Sequence, residues 1–414
     1  MKIAMVMSVY GQHAKGGAER SAATAAHFLT LRGHQVSIIA LGGSDSDMSP
    51  QIDENGVSIY HIPLAQIYDP YGLNGSTLKS SHHSGLKKAI WHLIDVYNPV
   101  MGWRFRKILR NLKPDIFISH TLQGLSVSVW REIRKTETKL IHVVNDHALI
   151  CPPTAMTRGS KVCEKVCTSC SIYSRLRHAL AVQPDAVVGP SQIVLDRHRR
   201  FGWFEKIQKQ VVIPNALPAN WPEAGLLQAV KTPIKFGFLG RLDESKGIDL
   251  LLQALSHLTN HSLVLYVAGA GDAALAQERW LPAVHPLHQV KFLGPVNAAE
   301  FLNSIDVLVT PSRANETFCN VVMEAASFGK PAIVSNKGAL PERVYQGETG
   351  WVVEECTPFA FGEKMQFVIA NPLEITKKGK KALATRPHYS PMQQATLYEK
   401  LCMELLHDNL LLKA

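Results

Sequence analysis

The hydrophobic pattern of the chain alternates between two periods. Residues 2–8 form a short apolar run that predicts a first strand. A loop containing Gly16 and Gly17 follows. From Ala18 the spacing turns helical, with Ala22, Ala25, Ala26 and Leu29 on one face and Gly33 as the stop. Residues 36–41 read as the next strand, and strand-then-helix alternation returns at 115–119, 140–144 and 185–189. Continuous apolar runs suit strands buried on both faces of a parallel sheet, so the fold class is α/β.

The periodicity lapses between residues 214 and 233. Pro214, Pro218, Pro222 and Pro233 interrupt regular elements there, and Asn215, Asn220 and Gly225 add loop character. A domain linker in this stretch leaves residues 1–214 as an N-terminal domain and 215–388 as a second one. The second domain should hold strands at 234–239, 263–268, 290–293, 307–310 and 332–335, and a helix from about 391 to 411 should close the chain. No repeat of solenoid period stands out. Doubly wound domains bind ligands outside the carboxyl ends of their strands, which places the expected site in a central cleft faced by both.

Composition fits this reading. A chain of 414 residues exceeds one ordinary core and suits two domains. Its hydrophobic fraction of 46% and charged fraction of 19% are those of a globular protein. No apolar run approaches the ~20 residues that span a bilayer. The apolar stretch behind Lys2 is too short for a signal peptide and lacks a small-residue cleavage site, so a cytoplasmic location is expected. The net charge of +10 points to anionic partners: nucleic acid, an anionic membrane surface or phosphorylated substrates. Seven cysteines in such a compartment do not suggest a disulfide framework.

Two stretches carry candidate chemistry. In the first, a predicted strand ends at Gly240, Arg241 sits at its carboxyl end, and Lys246 precedes a helix with Leu250, Leu251, Ala254 and Leu255 on its inner face. Arg offers a planar fork for phosphate oxygens and Lys a mobile point charge. Each charge-assisted bond is worth roughly 1.5–3 kcal/mol, and more where charge grows in a transition state. A diphosphate is the matching ligand; two ordinary surface cations are the alternative. In the second stretch, a strand ends at Thr310 and a helix should begin near Phe318. Glu316 then lies in the preceding loop and Glu324 about two turns into the helix. Backbone N–H groups around Thr317, Phe318, Cys319 and Asn320 favour an anion. Carboxylates accept sugar hydroxyls, which makes Glu316 a candidate for a transferred sugar and Glu324 for a ribose. The alternative is a Glu that stabilises the helix dipole and a second on a solvated face. Two such motifs ~75 residues apart, each at a strand-to-helix turn, favour the functional reading.

The combination resembles the family 4 glycosyltransferases, retaining enzymes of the GT-B fold. The resemblance covers nearly the whole chain: Gly16-Gly17-Ala18-Glu19 after the first strand, Pro214-Asn215 at the linker, Gly240-Arg241 with Lys246-Gly247, the Glu316/Glu324 pair followed by Gly329-Lys330-Pro331, and Tyr389-Ser390-Pro391 before the last helix. It implies two Rossmann-like domains, with residues 389–414 packing back on the first. It also implies transfer of a hexose-type sugar from a nucleotide diphosphate donor to a hydroxyl of a saccharide or lipid-linked acceptor, in bacterial surface polysaccharide or lipopolysaccharide synthesis. By resemblance, Gly17 brings backbone N–H to the distal phosphate, Arg241 and Lys246 hold the diphosphate, Glu316 contacts the donor sugar and Glu324 the ribose. No metal is required for catalysis, and the leaving phosphate helps deprotonate the acceptor on the same face.

Residues 115–120 and the run Asn145-Asp146-His147 end two N-terminal strands, which makes His120, Asn145, Asp146 and His147 acceptor-side candidates. Many relatives carry a His-Asp pair at the second place; here the first position is Asn145, a departure from the pattern. A hydrogen-bonded structural histidine is the alternative. Cys151, Cys163, Cys167 and Cys170 cluster in a loop beside this expected acceptor side. Four thiolates suit structural zinc; free or redox-labile thiols are the other reading. Basic residues concentrate in 87–113, with Trp91, Trp103 and Phe105 interleaved, and at Arg197, Arg199 and Arg200 before Phe201 and Trp203. That composition suits an anionic membrane surface, or a solvated face over core aromatics. Two rival functions are a sugar-nucleotide epimerase of the same fold and a nucleic-acid-binding protein. Against the second, no recognisable nucleic-acid module is present.

Overall fold

The computed structural model describes residues 1–14, 16–74, 83–154, 156–158, 161–163, 165–225, 229–259 and 261–413. Residues 226–228 of the expected linker lie outside the described residues. The chain divides into two compact units. One comprises Met1–Met156, Glu164–Pro218 and Pro391–Ala414, the other Thr157–Cys163 and Ala219–Ser390.

The first unit is built on β1 (Lys2–Met7), β2 (Gln35–Gly42), β3 (Gln51–Ile52), β4 (Ser58–Pro63), β5 (Ile116–Ser119) and β6 (Lys139–Val143). A short hairpin of β7 (Thr157–Arg158) and β8 (Lys161–Val162) comes next in the chain but belongs to the other unit, and β9 (Ala186–Gly189) and β10 (Gln210–Val212) complete the first. The sheet order is β10-β9-β6-β5-β1-β2-β4-β3. Its pairs are parallel except β3 with β4. Five helices matter below: α1 (Gly17–Leu31), α2 (Gly85–Val96), α3 (Pro99–Leu112), α4 (Ser128–Ile133) and α5 (Thr168–Leu180). Ile3, Met5 and Met7 of β1 share one core with Ala22, Ala25, Ala26 and Leu29 of α1, the residues whose spacing predicts that helix. The C-terminal helix Pro391–Lys413 joins the same core through Ala395, Tyr398, Leu401 and Cys402. Its Gln394 amide donates to Ser21 Oγ and to the Pro214 carbonyl, each at 2.9 Å. Glu399 pairs with Arg32 and His34.

The second unit has one parallel sheet: β11 (Lys235–Leu239), β12 (Val264–Ala268), β13 (Gln289–Gly294), β14 (Val307–Thr310), β15 (Ala332–Ser335) and β16 (Gly350–Val353), in the order β13-β12-β11-β14-β15-β16. Phe236 and Phe238 of β11, Val307 and Val309 of β14 and the buried face of the helix Ile248–Ala254 form its main core. Strand order reverses between β11 and β14 in this unit and between β1 and β5 in the first. Loops at the carboxyl ends of such strands diverge and leave a crevice, which is where open α/β sheets bind ligands.

Candidate functional site

The loops after β11 and β14 flank the switch point of the second sheet, and they are tied to each other. Arg313 and Ala314 donate backbone N–H to the Ser245 carbonyl at 2.9 and 3.1 Å. The Arg313 guanidinium holds Asp249 with two bonds of 2.6 and 2.8 Å and reaches the Glu244 carbonyl at 2.7 Å. Gly247 has φ +77°, and a Cβ there would overlap the Pro311 carbonyl, so the close approach of the two loops needs glycine. On the other side Gly338, at φ +53°, lies against the backbone of Glu316 with no room for a Cβ. The Ala339 N–H donates to the Glu316 carbonyl at 2.8 Å.

This scaffold brings Lys246 and Glu316 together: Nζ donates to Oε1 at 2.6 Å. Ser312 Oγ donates to the same oxygen at 2.9 Å, and Ser335 Oγ fixes the Ser312 carbonyl at 2.6 Å. Burial disfavours the charge on Lys246, but the Glu316 carboxylate more than compensates and holds the ammonium above its usual range. The positive charge of Arg241 acts on Lys246 in the opposite sense. Arg241 itself is exposed and lies 3.5 Å from Asp243. Glu324 is buried. Cys319, half-buried between them, feels Glu316, Lys246 and Glu324, and burial together with the two carboxylates pushes its thiol far up. Gly240, Arg241, Lys246, Glu316, Thr317, Phe318, Cys319, Asn320 and Glu324 thus sit on the two loops at one switch point and the helix that follows.

Two local expectations change. The helix begins at Asn320, not near Phe318, because Cys319 takes a left-handed conformation with φ 67°. It is the seven-residue helix Asn320–Ala326, too short for its dipole to make an anion site by itself. Glu324 is the fifth residue of that helix, one turn in and not two, and its burial sets aside the alternative of a solvated face. Phe318 is a packing residue: it is buried under the Arg343 guanidinium, 4.2 Å from the ring centroid. Ser312, the Arg313–Asp249 clamp and Gly338 escape sequence reading. Only Gly338 leaves a trace there, as a turn after the strand at 332–335.

In the first unit Gly16 and Gly17 are the N-cap and first residue of α1, after β1. His120 follows β5, so these two places flank the first sheet's switch point. His120 Nδ1 lies 3.2 Å from Asn145 Nδ2. Burial holds the imidazole neutral, down to about 3. Asp146 accepts the Ala148 N–H at 2.8 Å, and burial pushes its carboxyl up to about 6. His147 stacks on His198 with ring centroids 5.6 Å apart. Nearby, Asp95 of α2 and Arg177 of α5 form a fully buried pair at 3.3 Å. Burial raises Asp95 to about 7 against the pull of Arg177 and of the Gly124 N–H. A separate cavity of about 650 Å³ lies among Tyr10, His13, Arg20, Asp53 and His61, and none of His120, Asn145, Asp146 or His147 lines it.

Of the expected thiol cluster, Cys170 Sγ is 3.6 Å from Cys151 Sγ, and Cys167 also bears on Cys170. None of the seven cysteines is in a disulfide. Among the described residues no group of three or more His, Cys, Asp or Glu is arranged to hold a metal ion. No described helix is long and apolar enough to cross a membrane.

Comparison with known proteins agrees with this architecture. Residues 226–384 match the model of the glycosyl transferases group 1 family, and residues 16–216 match that of the glycosyl transferase 4-like domain. An uncharacterized 42.6 kDa protein in the cps region of Klebsiella pneumoniae is 29% identical over 342 residues, 83% of this chain and 87% of that one. Sucrose-phosphate synthase from Thermosynechococcus elongatus superposes with a TM-score of 0.73 at 17% identity, over 99% of this chain and 100% of the other. The Anabaena protein HepE, solved in complex with UDP, superposes with a TM-score of 0.65 at 15% identity, over 98% and 100% of the two chains. The chain therefore belongs to the family 4 (group 1) glycosyltransferases and is a glycosyltransferase of the GT-B fold.

Proposed function

We propose that the enzyme moves a sugar from a nucleotide diphosphate donor to a hydroxyl of a saccharide or lipid-linked acceptor, with retention at the anomeric carbon, in surface polysaccharide or lipopolysaccharide assembly. The carrying observation is the Lys246–Glu316 pair at the switch point of the second sheet. An ammonium has three donors. One is used by Glu316 Oε1, and two remain for diphosphate oxygens. Ser312 and Lys246 both use Oε1 of Glu316, which leaves Oε2 to accept a hydroxyl of the donor sugar. Arg241, exposed on the same loop, supplies the second cation, and Glu324 receives the ribose hydroxyls. In the reaction the bond from the anomeric carbon to the phosphate oxygen breaks, and a bond to the acceptor oxygen forms on the same face. The acceptor's proton passes to the departing phosphate. Cations already in place neutralise charge as it develops on that phosphate, which is the kind of term that dominates such catalysis. The support from relatives is that HepE was solved with UDP and that one relative is named for a cps region.

A thermal-shift screen of nucleotide diphosphates and their sugars tests the donor. Binding at a hundredfold excess over Kd stabilises the protein by about 2.7 kcal/mol. A screen in which no nucleoside diphosphate moves the transition, in wild type as in Lys246→Ala, defeats the reading. NMR of the product's anomeric configuration tests retention, and an inverted product removes it. The expectation of structural zinc rests on the spacing of Cys151, Cys163, Cys167 and Cys170. Metal analysis decides it, and less than a tenth of an equivalent in the purified protein removes zinc from the proposal.

A further inference from the structure

The first unit carries apolar surface that its own fold leaves uncovered. On α2 the residues Leu86, Ala89, Ile90 and Leu93 form one exposed row at i, i+3, i+4 and i+7, with Leu86 73%, Ile90 42% and Leu93 63% exposed. The opposite face of the same helix is buried through Trp91, Asp95 and Val96. α5 repeats the arrangement. Tyr173, Ser174 and Arg177 are buried, while Ile172 and Leu176 are 57% and 45% exposed beside the exposed Arg175. The two helices pack against each other and are joined by the buried Arg177–Asp95 pair and by the His92–Tyr173 ring contact. On α3, Trp103 is 52% exposed and carries the Lys107 ammonium 3.8 Å from its ring centroid, with Val100 and Arg110 exposed on the same helix.

The exposed charge on these three helices has one sign. From residue 83 to 113 the only acid is Asp95, which is buried and paired, and from 165 to 182 there is none. Lys87, Lys88, Lys107, Arg110 and Arg175 accompany the apolar residues. Leu, Ile and Trp presented outward beside unopposed Lys and Arg is the composition of a helix lying in a bilayer interface, where the apolar row enters the acyl boundary and the cations meet anionic headgroups. A protein partner would call for charges of both signs to set its register, and α2, α3 and α5 themselves present no exposed acid.

We infer that the exposed rows of α2 and α5, with Trp103 and Lys107 of α3, dock the enzyme on an anionic bilayer surface. This deepens the proposed reading, since it assigns the place where a lipid-linked acceptor is met, but the docking needs no catalysis and is tested without it. Co-sedimentation with vesicles of phosphatidylglycerol and phosphatidylcholine, against pure phosphatidylcholine, is the experiment. Wild type should bind the anionic vesicles at least tenfold more tightly than the neutral ones. The triple variant Leu86→Ser, Ile90→Ser, Leu93→Ser and the double variant Lys87→Glu, Lys88→Glu should each lose at least tenfold. All three proteins should keep the same thermal transition and the same nucleotide-induced shift, because the altered side chains lie outside the core and the nucleotide site. Absence of wild-type binding to anionic vesicles overturns the inference. So does equal binding by the variants, or a concentration-dependent dimer in light scattering that the triple variant abolishes while no vesicle binding is seen. A nucleotide shift without vesicle binding would sink the docking alone, and vesicle binding without a nucleotide shift would sink the proposed donor alone.

Discussion

The two switch points of this molecule are built with opposite electrostatics. In the second unit a lysine and a glutamate face each other at 2.6 Å on loops that backbone bonds and an Arg–Asp clamp hold in register. In the first unit the titratable groups are pushed toward their neutral forms by burial: His120 down to about 3, Asp146 up to about 6 and Asp95 up to about 7. The first arrangement suits a ligand that arrives and leaves with charge. On the proposed reading the second belongs to the acceptor side, where neutral hydroxyls are met by groups that carry no charge. One chain thus uses the same crevice geometry twice and tunes it by the balance of desolvation and pairing.

The largest effect that can break this comparison lies in the buried pair. Arg177→Met leaves Asp95 without its partner at a fully buried place, and removing one member of such a pair costs about 3–5 kcal/mol. For a unit of this size that lowers the midpoint of thermal unfolding by ~10 °C. Because Asp95 already titrates near 7, it can escape by taking up a proton, so the loss should be larger at pH 8 than at pH 6. The double variant with Asp95→Asn should recover part of it. A single variant as stable as wild type at pH 8 shows that burial, not pairing, is all that matters there.

At the other switch point the cost should fall on turnover. Lys246→Ala and Glu316→Ala should each reduce kcat by about 10²–10³-fold and shift the unfolding midpoint little, since the Lys246 side chain is partly exposed and belongs to no core cluster. Initial rates with the donor found by thermal shift, alongside calorimetry, separate the two readouts. Near-normal rates in both variants would remove the assigned roles.

A third measurement sharpens the contrast through pH. Asp146 is raised from the ordinary aspartate range to about 6 in the folded protein. A raised carboxyl gives stability that is complete below about 4 and is lost as pH rises through about 6, because the folded state holds the proton longer than the unfolded chain. Two pK units correspond to about 3 kcal/mol. Asp146→Asn keeps an oxygen for the Ala148 N–H and cannot ionise, so it should flatten the stability profile between pH 4 and 7 and be the more stable protein at pH 7. Parallel profiles for the two proteins would mean that Asp146 does not carry this shift.

Much of the fold was legible in the sequence because buried parallel strands announce themselves. The runs at 307–310 and 332–335 coincide with β14 and β15, and Ala22, Ala25, Ala26 and Leu29 do face the core. The edges were not. β4 has polar and apolar residues mixed, and β16 is four residues after a turn, so neither reads as a continuous run. The motif residues around Lys246 and Glu316 were legible as loops after strands, but their contact was not, because it depends on the pairing of β11 with β14 across 70 residues of chain. The basic segment shows the limit most clearly. Trp91, Phe105 and Trp203 read equally as interfacial or as core aromatics and are core, whereas the exposed apolar residues of α2 are Leu86, Ile90 and Leu93. A helix that is apolar on two faces does not declare which face its neighbours will cover. Only Asp95, turned inward to meet Arg177, settles it.

The smallest effect addresses how the carboxylate of the second unit is held. Gly338 sits in a left-handed conformation against the Glu316 backbone, and an added Cβ has no room. Gly338→Ala must therefore move the Glu316 loop or the turn after β15, at a cost of about 1–3 kcal/mol for a strained backbone position. Glu316 keeps its own chemistry in this variant and loses only its place. A misplacement of about 1 Å can cost up to 10²-fold in rate, so kcat should fall about tenfold, less than in Glu316→Ala, with the nucleotide-induced thermal shift largely kept because Arg241 and Lys246 remain. If kcat is unchanged while stability drops, the pairing with Lys246 alone positions the carboxylate. If kcat and the nucleotide shift fall together, the loop after β14 positions both charges, and the lysine depends on Glu316 as much as Glu316 depends on it.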